Sequence, residues 1–540
     1  MRERNEMILA DLIAIRAEQK PDLDVLSFEH LSLDAEATAD EIRSFGDLHT
    51  HGNRIAAELI RRGLARGDRF AIMMRNHPEF VETMIASSIS GAVYVPVDPR
   101  TRGEKLTYML RDAGCRGIVC ADYCLGEVDS VRSQLPDLEW ILALETREGP
   151  HAVPLSDMSG VESLAEILSR PVPTVDVRLE SAEDPLQIIY TSGTTGDPKG
   201  VVGPNWRFGG MALLGALFGY QPDDRPYTGL SLTHGNALAV TLAPSFYMGL
   251  RAVFSRRFTK SKLWEVCRRH GCTSFSVLGG MATAIYSEPL RPNDAQNPVR
   301  LVVSGGMPAA VWEAFEKRFD LQIFEFYGAI EGGMAYHPVG AGPIGSFGKP
   351  IPSIEMKILD ENDRECAPFV VGEICSRPIE GGPAQLEYFG NPEASRKKTR
   401  GGWLRSGDMG HTDENGWFFF DYRKGGGIRH NGDFVNPGFV EKVIAEHPQV
   451  SDVFVYGVPA ASGAPGEKDV VAAIVFPEGG SHTTESIFAL CREKLEANFV
   501  PSYLQIVDAI PKTASEKPQE RFLLEKFDPS TPSIHTEERS

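Results

Sequence analysis

The chain lacks any Cys-x-x-Cys pair. Its eight cysteines include Cys115, Cys120 and Cys124, then Cys267 and Cys272, and none of these forms Cys-x-x-Cys. No metal or disulfide pattern is read from them, and free thiols in a reducing compartment are expected. His49 and His51 form a His-x-His pair without a third ligand in register, so exposed or helix-capping roles are expected for both. Long hydrophobic runs are also missing: the most apolar stretches, such as 211–220, are too short to span a bilayer. Met1-Arg2-Glu3-Arg4-Asn5-Glu6 carries both signs of charge, and Asp11 breaks the apolar run behind it, so no signal peptide is read and a cytoplasmic location is expected. Basic residues are outnumbered, 55 Lys and Arg against 74 Asp and Glu, for a net charge of −19. Nucleic acid is thus not expected as a partner, because phosphate backbones need a basic face. There is no internal repeat.

What is present reads as an ordinary globular chain. Apolar residues make up 42% and charged residues 24% of 540 positions, which suggests two to four domains. The first 180 residues alternate helical and strand patterns. Helices are expected over 50–63, 78–89 and 106–113, and strands over 69–74, 92–97 and 117–120. Such alternation implies a parallel sheet with helices on both faces. Residues 139–182, rich in Pro, Glu, Asp and Ser, are expected to be a connecting region. Gly425-Gly426-Gly427 suits a hinge. The fold class expected is α/β: a large N-terminal region, 1–423, of doubly wound, mostly parallel sheets with helices, and a small mobile α+β domain, 424–540. Within the latter, helices are expected over 440–447 and 485–497 and strands over 453–456 and 470–476. The polar tail after Phe527 is expected to be loosely held.

The most informative segment is Ile188-Ile189-Tyr190-Thr191-Ser192-Gly193-Thr194-Thr195-Gly196-Asp197-Pro198-Lys199-Gly200-Val201-Val202. An apolar run feeds a loop of small and hydroxyl residues. Glycines let backbone N–H groups approach an anion, hydroxyls add donors, and Lys199 adds positive charge, which is the chemistry of a polyphosphate cradle. It is not a Walker A loop, which needs Gly-x-x-x-x-Gly-Lys-Ser/Thr. Four further segments stand in order behind it: Leu230-Ser231-Leu232-Thr233-His234-Gly235-Asn236, Leu301-Val302-Val303-Ser304-Gly305-Gly306-Met307-Pro308, Phe326-Tyr327-Gly328-Ala329-Ile330-Glu331 and Arg405-Ser406-Gly407-Asp408. Near the end comes Ile510-Pro511-Lys512-Thr513-Ala514-Ser515-Glu516-Lys517.

Together these motifs resemble the adenylate-forming enzymes of the acyl-CoA synthetase type, and the resemblance covers nearly the whole chain. Within that family the nearest likeness is to the crotonobetaine/carnitine and fatty acyl-CoA ligase branch. The resemblance implies the following roles. Thr191, Ser192, Gly193, Thr194, Thr195 and Lys199 would cradle the phosphates of ATP. His234 would shield or orient the substrate carboxylate. Ser304, Gly305 and Gly306 would lie against adenine and the acyl pocket. Phe326, Tyr327 and Gly328 belong to the adenine-stacking motif, with Tyr327 the stacking ring, and Glu331 would hold Mg2+. Asp408 would bind both ribose hydroxyls, with Arg423 nearby. Arg429 would meet a CoA phosphate and Gly432 would line the pantetheine tunnel. Lys517 would be the mobile lysine bridging the carboxylate and the α-phosphate. The chain departs from the family pattern at Ile330, where Thr is usual, at Gly425, where Asp or Lys is usual, and at Glu516, where Gly is usual.

The function expected is an ATP-dependent acid–thiol ligase, with ATP, Mg2+ and CoA as cofactors and a small-molecule carboxylic acid as substrate. It would form acyl-AMP, release pyrophosphate and pass the acyl group to CoA. Two alternatives stay open: an adenylation enzyme loading a carrier-protein phosphopantetheine, and a nucleotide-binding protein with weak or no catalysis. The oligomeric state is left open, a homodimer included.

Overall fold

The structure, a computed structural model, describes residues 3–31, 39–148, 152–191, 198–424, 428–430, 433–435, 437–461, 468–477, 483–495, 497–513, 516 and 518–537. They fall into two compact units, 1–276 with 386–397, and 277–385 with 398–540.

In the first unit a seven-stranded sheet runs in the order Val161–Ser163, Trp140–Leu144, Cys115–Ala121, Arg69–Met73, Val93–Pro96, Pro185–Thr191, Lys199–Pro204. All neighbours are parallel except the last pair, an antiparallel hairpin. The order runs outward from Arg69–Met73 in both directions, the doubly wound arrangement expected from the alternation. The helix Pro78–Ser90 is buried at every position, with proline in its first turn, where a missing N–H costs nothing. The helix expected from 50 begins earlier, at Phe45. Ser44 and Asp47 form a reciprocal capping box there, and Phe45 and Leu48 are buried. A second set of strands in this unit, Glu41–Ser44, Asp24–Glu29, Ala252–Ser255 and Pro226–Thr228, is parallel apart from the edge strand Glu41–Ser44.

Residues 139–182 are not merely a connection. Trp140–Leu144 and Val161–Ser163 extend the seven-stranded sheet and Leu164–Ser169 is helical. Strands of five and three residues are too short to show a period, which is why the composition of the stretch outweighed them in the sequence. The two histidines sit inside the helix Phe45–Arg61, half-buried and without a capping role. His51 Nδ1 lies 2.8 Å from Glu82 Oε1, and the His49 carbonyl accepts from Asn53 Nδ2 at 2.7 Å.

In the second unit Leu301–Gly305 and Gln322–Ala329 are parallel. Gly332–His337, Ser346–Pro350, Phe418–Arg423, Leu404–Thr412, Gly372–Pro378 and Ile354–Leu359 then follow as antiparallel neighbours. A separate four-stranded sheet, Asp452–Pro459, Lys468–Val475, Tyr503–Ile506 and Ile534–Thr536, carries the C-terminal α+β arrangement with helices Pro437–Ala445 and Thr484–Lys494. Its alternation is read directly in the core. Val470, Ala472 and Ile474 pack with Ile444, Ile487 and Phe488 on one face, while Val471 and Ala473 pack with Tyr456, Ile510 and Leu523 on the other. The tail is held rather than loose: Ile534–Thr536 pairs with Tyr503–Ile506, and Ile534 is buried. A three-residue strand in a polar segment leaves almost no pattern in sequence.

All eight cysteines are free, and Cys366 alone is not buried. No helix among the described residues is long and apolar enough to cross a membrane.

Candidate functional site

The cradle segment connects Pro185–Thr191 to Lys199–Pro204, an antiparallel pair at the edge of the seven-stranded sheet. Thr191 pairs with Lys199, and the Thr191 hydroxyl donates to the Lys199 carbonyl at 3.4 Å. The connection is thus closed at its base by its own first threonine. Lys199 is exposed, its ammonium 5.7 Å from the centre of the Tyr388 ring. Tyr190 anchors the same strand end by donating to Asp112 Oδ2 at 2.6 Å. Ser192, Gly193, Thr194 and Thr195 lie outside the described residues.

His234 sits in a tight turn of the same unit. Its N–H donates to the Ser231 carbonyl at 2.9 Å, and its Nδ1 accepts the Asn236 N–H at 3.2 Å. When the ring is neutral, that acceptance leaves the proton on Nε2.

The second unit joins three of the remaining residues, Tyr327, Asp408 and Arg423. Tyr327, on Gln322–Ala329, has one ring face covered by Phe347, with centroids 4.5 Å apart. Its hydroxyl donates to Asp408 Oδ2 at 2.6 Å. Arg423 donates to Asp408 Oδ1 at 2.6 Å, and the two are direct cross-strand partners. Asp408 is 5% exposed, so its charge needs such partners. Gly407, at φ +77°, turns the chain so that Asp408 N–H reaches the Ser406 hydroxyl at 2.9 Å and Gly407 N–H reaches Glu373 Oε1 at 3.0 Å. Burial and then the Asp408 charge raise the Tyr327 hydroxyl well above its ordinary value. Burial opposes the Arg423 charge, but Asp408, with Glu331 and Tyr327 behind it, outweighs burial and raises the guanidinium.

Sequence reasoning missed two residues here. Lys398 donates to the Ser406 carbonyl at 2.9 Å, within the Ser-Gly-Asp turn. Burial lowers its ammonium, with Glu331 and Asp408 acting against that shift and Arg423 with it. Glu331 thus shares its surroundings with two cations, Lys398 and Arg423. A lysine in a polar run, Ser395-Arg396-Lys397-Lys398, carries no signal of its own.

Glu325 is the other. It is 2% exposed, and its carboxyl accepts the Gly306 and Met307 N–H groups, the latter at 3.0 Å. It therefore fixes the turn after Ser304, where Gly306 stands at φ +93°. One acidic residue amid the aromatic and aliphatic run 323–327 was the available signal. Burial pushes its carboxyl up to about 8, against the pull of the two amide donors. A carboxyl raised in the folded state stabilises the fold fully below its ordinary value of 4.5, and that contribution is lost as pH rises through about 8. Glu325→Gln, which keeps an acceptor but cannot ionise, should flatten the fall in Tm between about pH 5 and 8. Parallel Tm–pH curves for the two proteins would refute this.

Among the described residues no group of three His, Cys, Asp or Glu could hold a metal. Glu331 is a carboxylate of the kind that suits Mg2+, a cation that usually takes one or two protein carboxylates and completes its shell with phosphate oxygens and water. Arg429 has a described backbone in Ile428–His430, while Gly432 and Lys517 lie outside the described residues.

The profile of the AMP-binding enzyme family matches residues 13–380, and that of the AMP-binding enzyme C-terminal domain matches 440–517. A crotonobetaine/carnitine–CoA ligase of Salmonella typhi is 27% identical over 483 residues, covering 88% of this chain and 91% of that protein. The fold is similar to the anthranilate CoA ligase AuaEII in complex with anthranoyl-AMP, with TM-score 0.83, 24% identity and 96% of each chain covered. It is also similar to a benzoate CoA ligase from Burkholderia xenovorans LB400, with TM-score 0.80, 20% identity, and 96% of this chain and 99% of that chain covered.

Proposed function

Because the chain belongs to the AMP-binding enzyme family, we propose that it is an ATP-dependent acid–CoA ligase working through an acyl adenylate. The observation that carries the reading is the joining of Tyr327, Asp408 and Arg423 through one buried carboxylate, in a chain that matches both family profiles. Each Asp408 oxygen has a second lone pair, so the carboxylate can keep both partners and still accept from the two ribose hydroxyls. Tyr327, braced by Phe347, offers a ring to adenine. The segment connecting Thr191 to Lys199 takes the polyphosphate, with backbone N–H groups and hydroxyls as donors and Lys199 as charge.

Glu331 would hold Mg2+, which neutralises phosphate charge when bound. The chain's own groups do the rest. His234, held by its neighbours, orients the carboxylate of the acid. Lys517 offsets charge as the carboxylate attacks the α-phosphate. The segment 424–540 acts as a lid that turns about 425–427, withdrawing Lys517 and bringing Arg429 and Gly432 to CoA. In this scheme catalysis is positioning and charge stabilisation, with little covalent work for the protein. The reading keeps the enzyme in the cytoplasm, where ATP and CoA are supplied.

The test is pyrophosphate release with Mg·ATP across a panel of carboxylic acids, each with and without CoA. CoA-dependent turnover with one acid class is expected. Turnover that CoA does not stimulate would redirect the acyl group to a carrier protein. ATP binding with no turnover for any acid would overturn the ligase reading.

A further inference from the structure

The turn that holds His234 leaves a buried amide unpaired. Asn236 is 6% exposed, and neither its Nδ2 nor its Oδ1 has a hydrogen-bond partner among the described residues. The chain then enters Ala237–Leu242, a wide helical turn of the π type, a geometry that concentrates at functional sites. Thr241, five residues on and so about one such turn along, is fully buried, and its Oγ1 is likewise unpartnered.

A structural asparagine in the same region behaves differently. Asn76 is 1% exposed and braces residues 230–232. Its Nδ2 donates to the Leu230 and Ser255 carbonyls at 2.9 and 2.8 Å, and its Oδ1 accepts the Leu232 N–H at 2.8 Å. Every polar atom of that amide is used. Buried polar groups are nearly always paired, and leaving one unpaired costs folding free energy. Asn236 gives up a donor and an acceptor at once, two residues from His234, which the proposed function sets beside the substrate carboxylate.

The chemistry of the missing partner follows from the amide. A carboxylate or ether can only accept, and an ammonium can only donate. A hydroxyl does both, accepting from Nδ2 and donating to Oδ1. Resting on the ligase reading, we propose that Asn236, with Thr241 behind it, is a specificity determinant that binds a hydroxyl group of the acid, so that the substrate class is hydroxylated carboxylic acids.

Matched pairs of acids test this: hydroxylated aliphatic and aromatic acids, each against its deoxy counterpart, read as kcat/KM for pyrophosphate release. A site built to pair a hydroxyl rejects the analogue lacking it, so the wild type should favour the hydroxylated member of at least one pair by about 10²-fold or more. Asn236→Leu should bring that ratio within about fivefold, lowering turnover of the hydroxylated acid and raising that of its partner. The preferred acid, added to protein already saturated with AMP, should raise Tm of the wild type further and not that of the variant. If the leucine variant does not fold, Asn236→Ala removes the amide without added bulk and carries the same test. A wild type that uses deoxy acids equally well overturns the inference and leaves the ligase reading standing. So does a variant that slows both members at an unchanged ratio, which marks a packing role. No pyrophosphate release with any acid overturns both readings together.

Discussion

Lys517→Ala should lower the rate of acyl-adenylate formation by about 10²–10³-fold, the loss typical when one preorganised charge partner is removed from a developing anion. The same variant should convert a supplied acyl adenylate and CoA to thioester at close to the wild-type rate, because the second step involves no attack on phosphorus. The two half-reactions are separable, so the prediction is sharp. Pyrophosphate release reads the first, and thioester formation from synthetic acyl adenylate reads the second. Equal loss in both would mean that Lys517 supports the domain rather than the chemistry. Glu516 stands at φ +58°, a backbone region that favours glycine, which is the usual residue at that position in the family the chain resembles.

Asp408→Ala should be the most damaging substitution among the described site residues. It leaves the Tyr327 hydroxyl and the Arg423 guanidinium without their shared acceptor. Arg423 is about half exposed, at 46%, which moderates the penalty, so a loss of about 1–3 kcal/mol in stability is expected. With Asp408 holding both ribose hydroxyls as proposed, nucleotide binding should suffer more, with KM for ATP raised by about 10-fold or more. Asp408→Asn separates the two effects. It keeps an acceptor for Tyr327 and should recover most of the stability, while affinity for ATP stays weakened because Arg423 loses its counter-charge. Thermal unfolding and AMP titration on the three proteins decide it. An alanine variant with unchanged AMP affinity would remove Asp408 from the ribose site.

Much of the fold was legible because its signals are local. The strands Arg69–Met73 and Val93–Pro96 and the helix Pro78–Ser90 were read within a residue or so, since each is a contiguous apolar run or begins at a proline. The strands Trp140–Leu144 and Ile534–Thr536 were missed for the opposite reason: they are short, and sheet neighbours far along the chain hold them in place. The site divides in the same way. Thr191, Lys199, Tyr327, Glu331 and Asp408 announced themselves by motif, but Lys398 and Glu325 did not, because a lone charge acquires meaning only from what surrounds it.

The sequence by itself singled out the segments proposed to carry phosphate-loop and nucleotide-motif chemistry, because hydroxyls, glycines and a lysine in one contiguous loop need no distant partner to be recognised. It also determined the doubly wound, mostly parallel character of the first unit through its strand–helix alternation. Only the tertiary structure decided that Tyr327 and Arg423 meet on the two oxygens of Asp408, that Glu325 clamps the turn after Ser304, and that Asn236 is buried with its amide unpaired. Burial and hydrogen-bond pairing depend on residues brought together by folding, and no local pattern records which of two asparagines, 76 or 236, will find its partners within the chain.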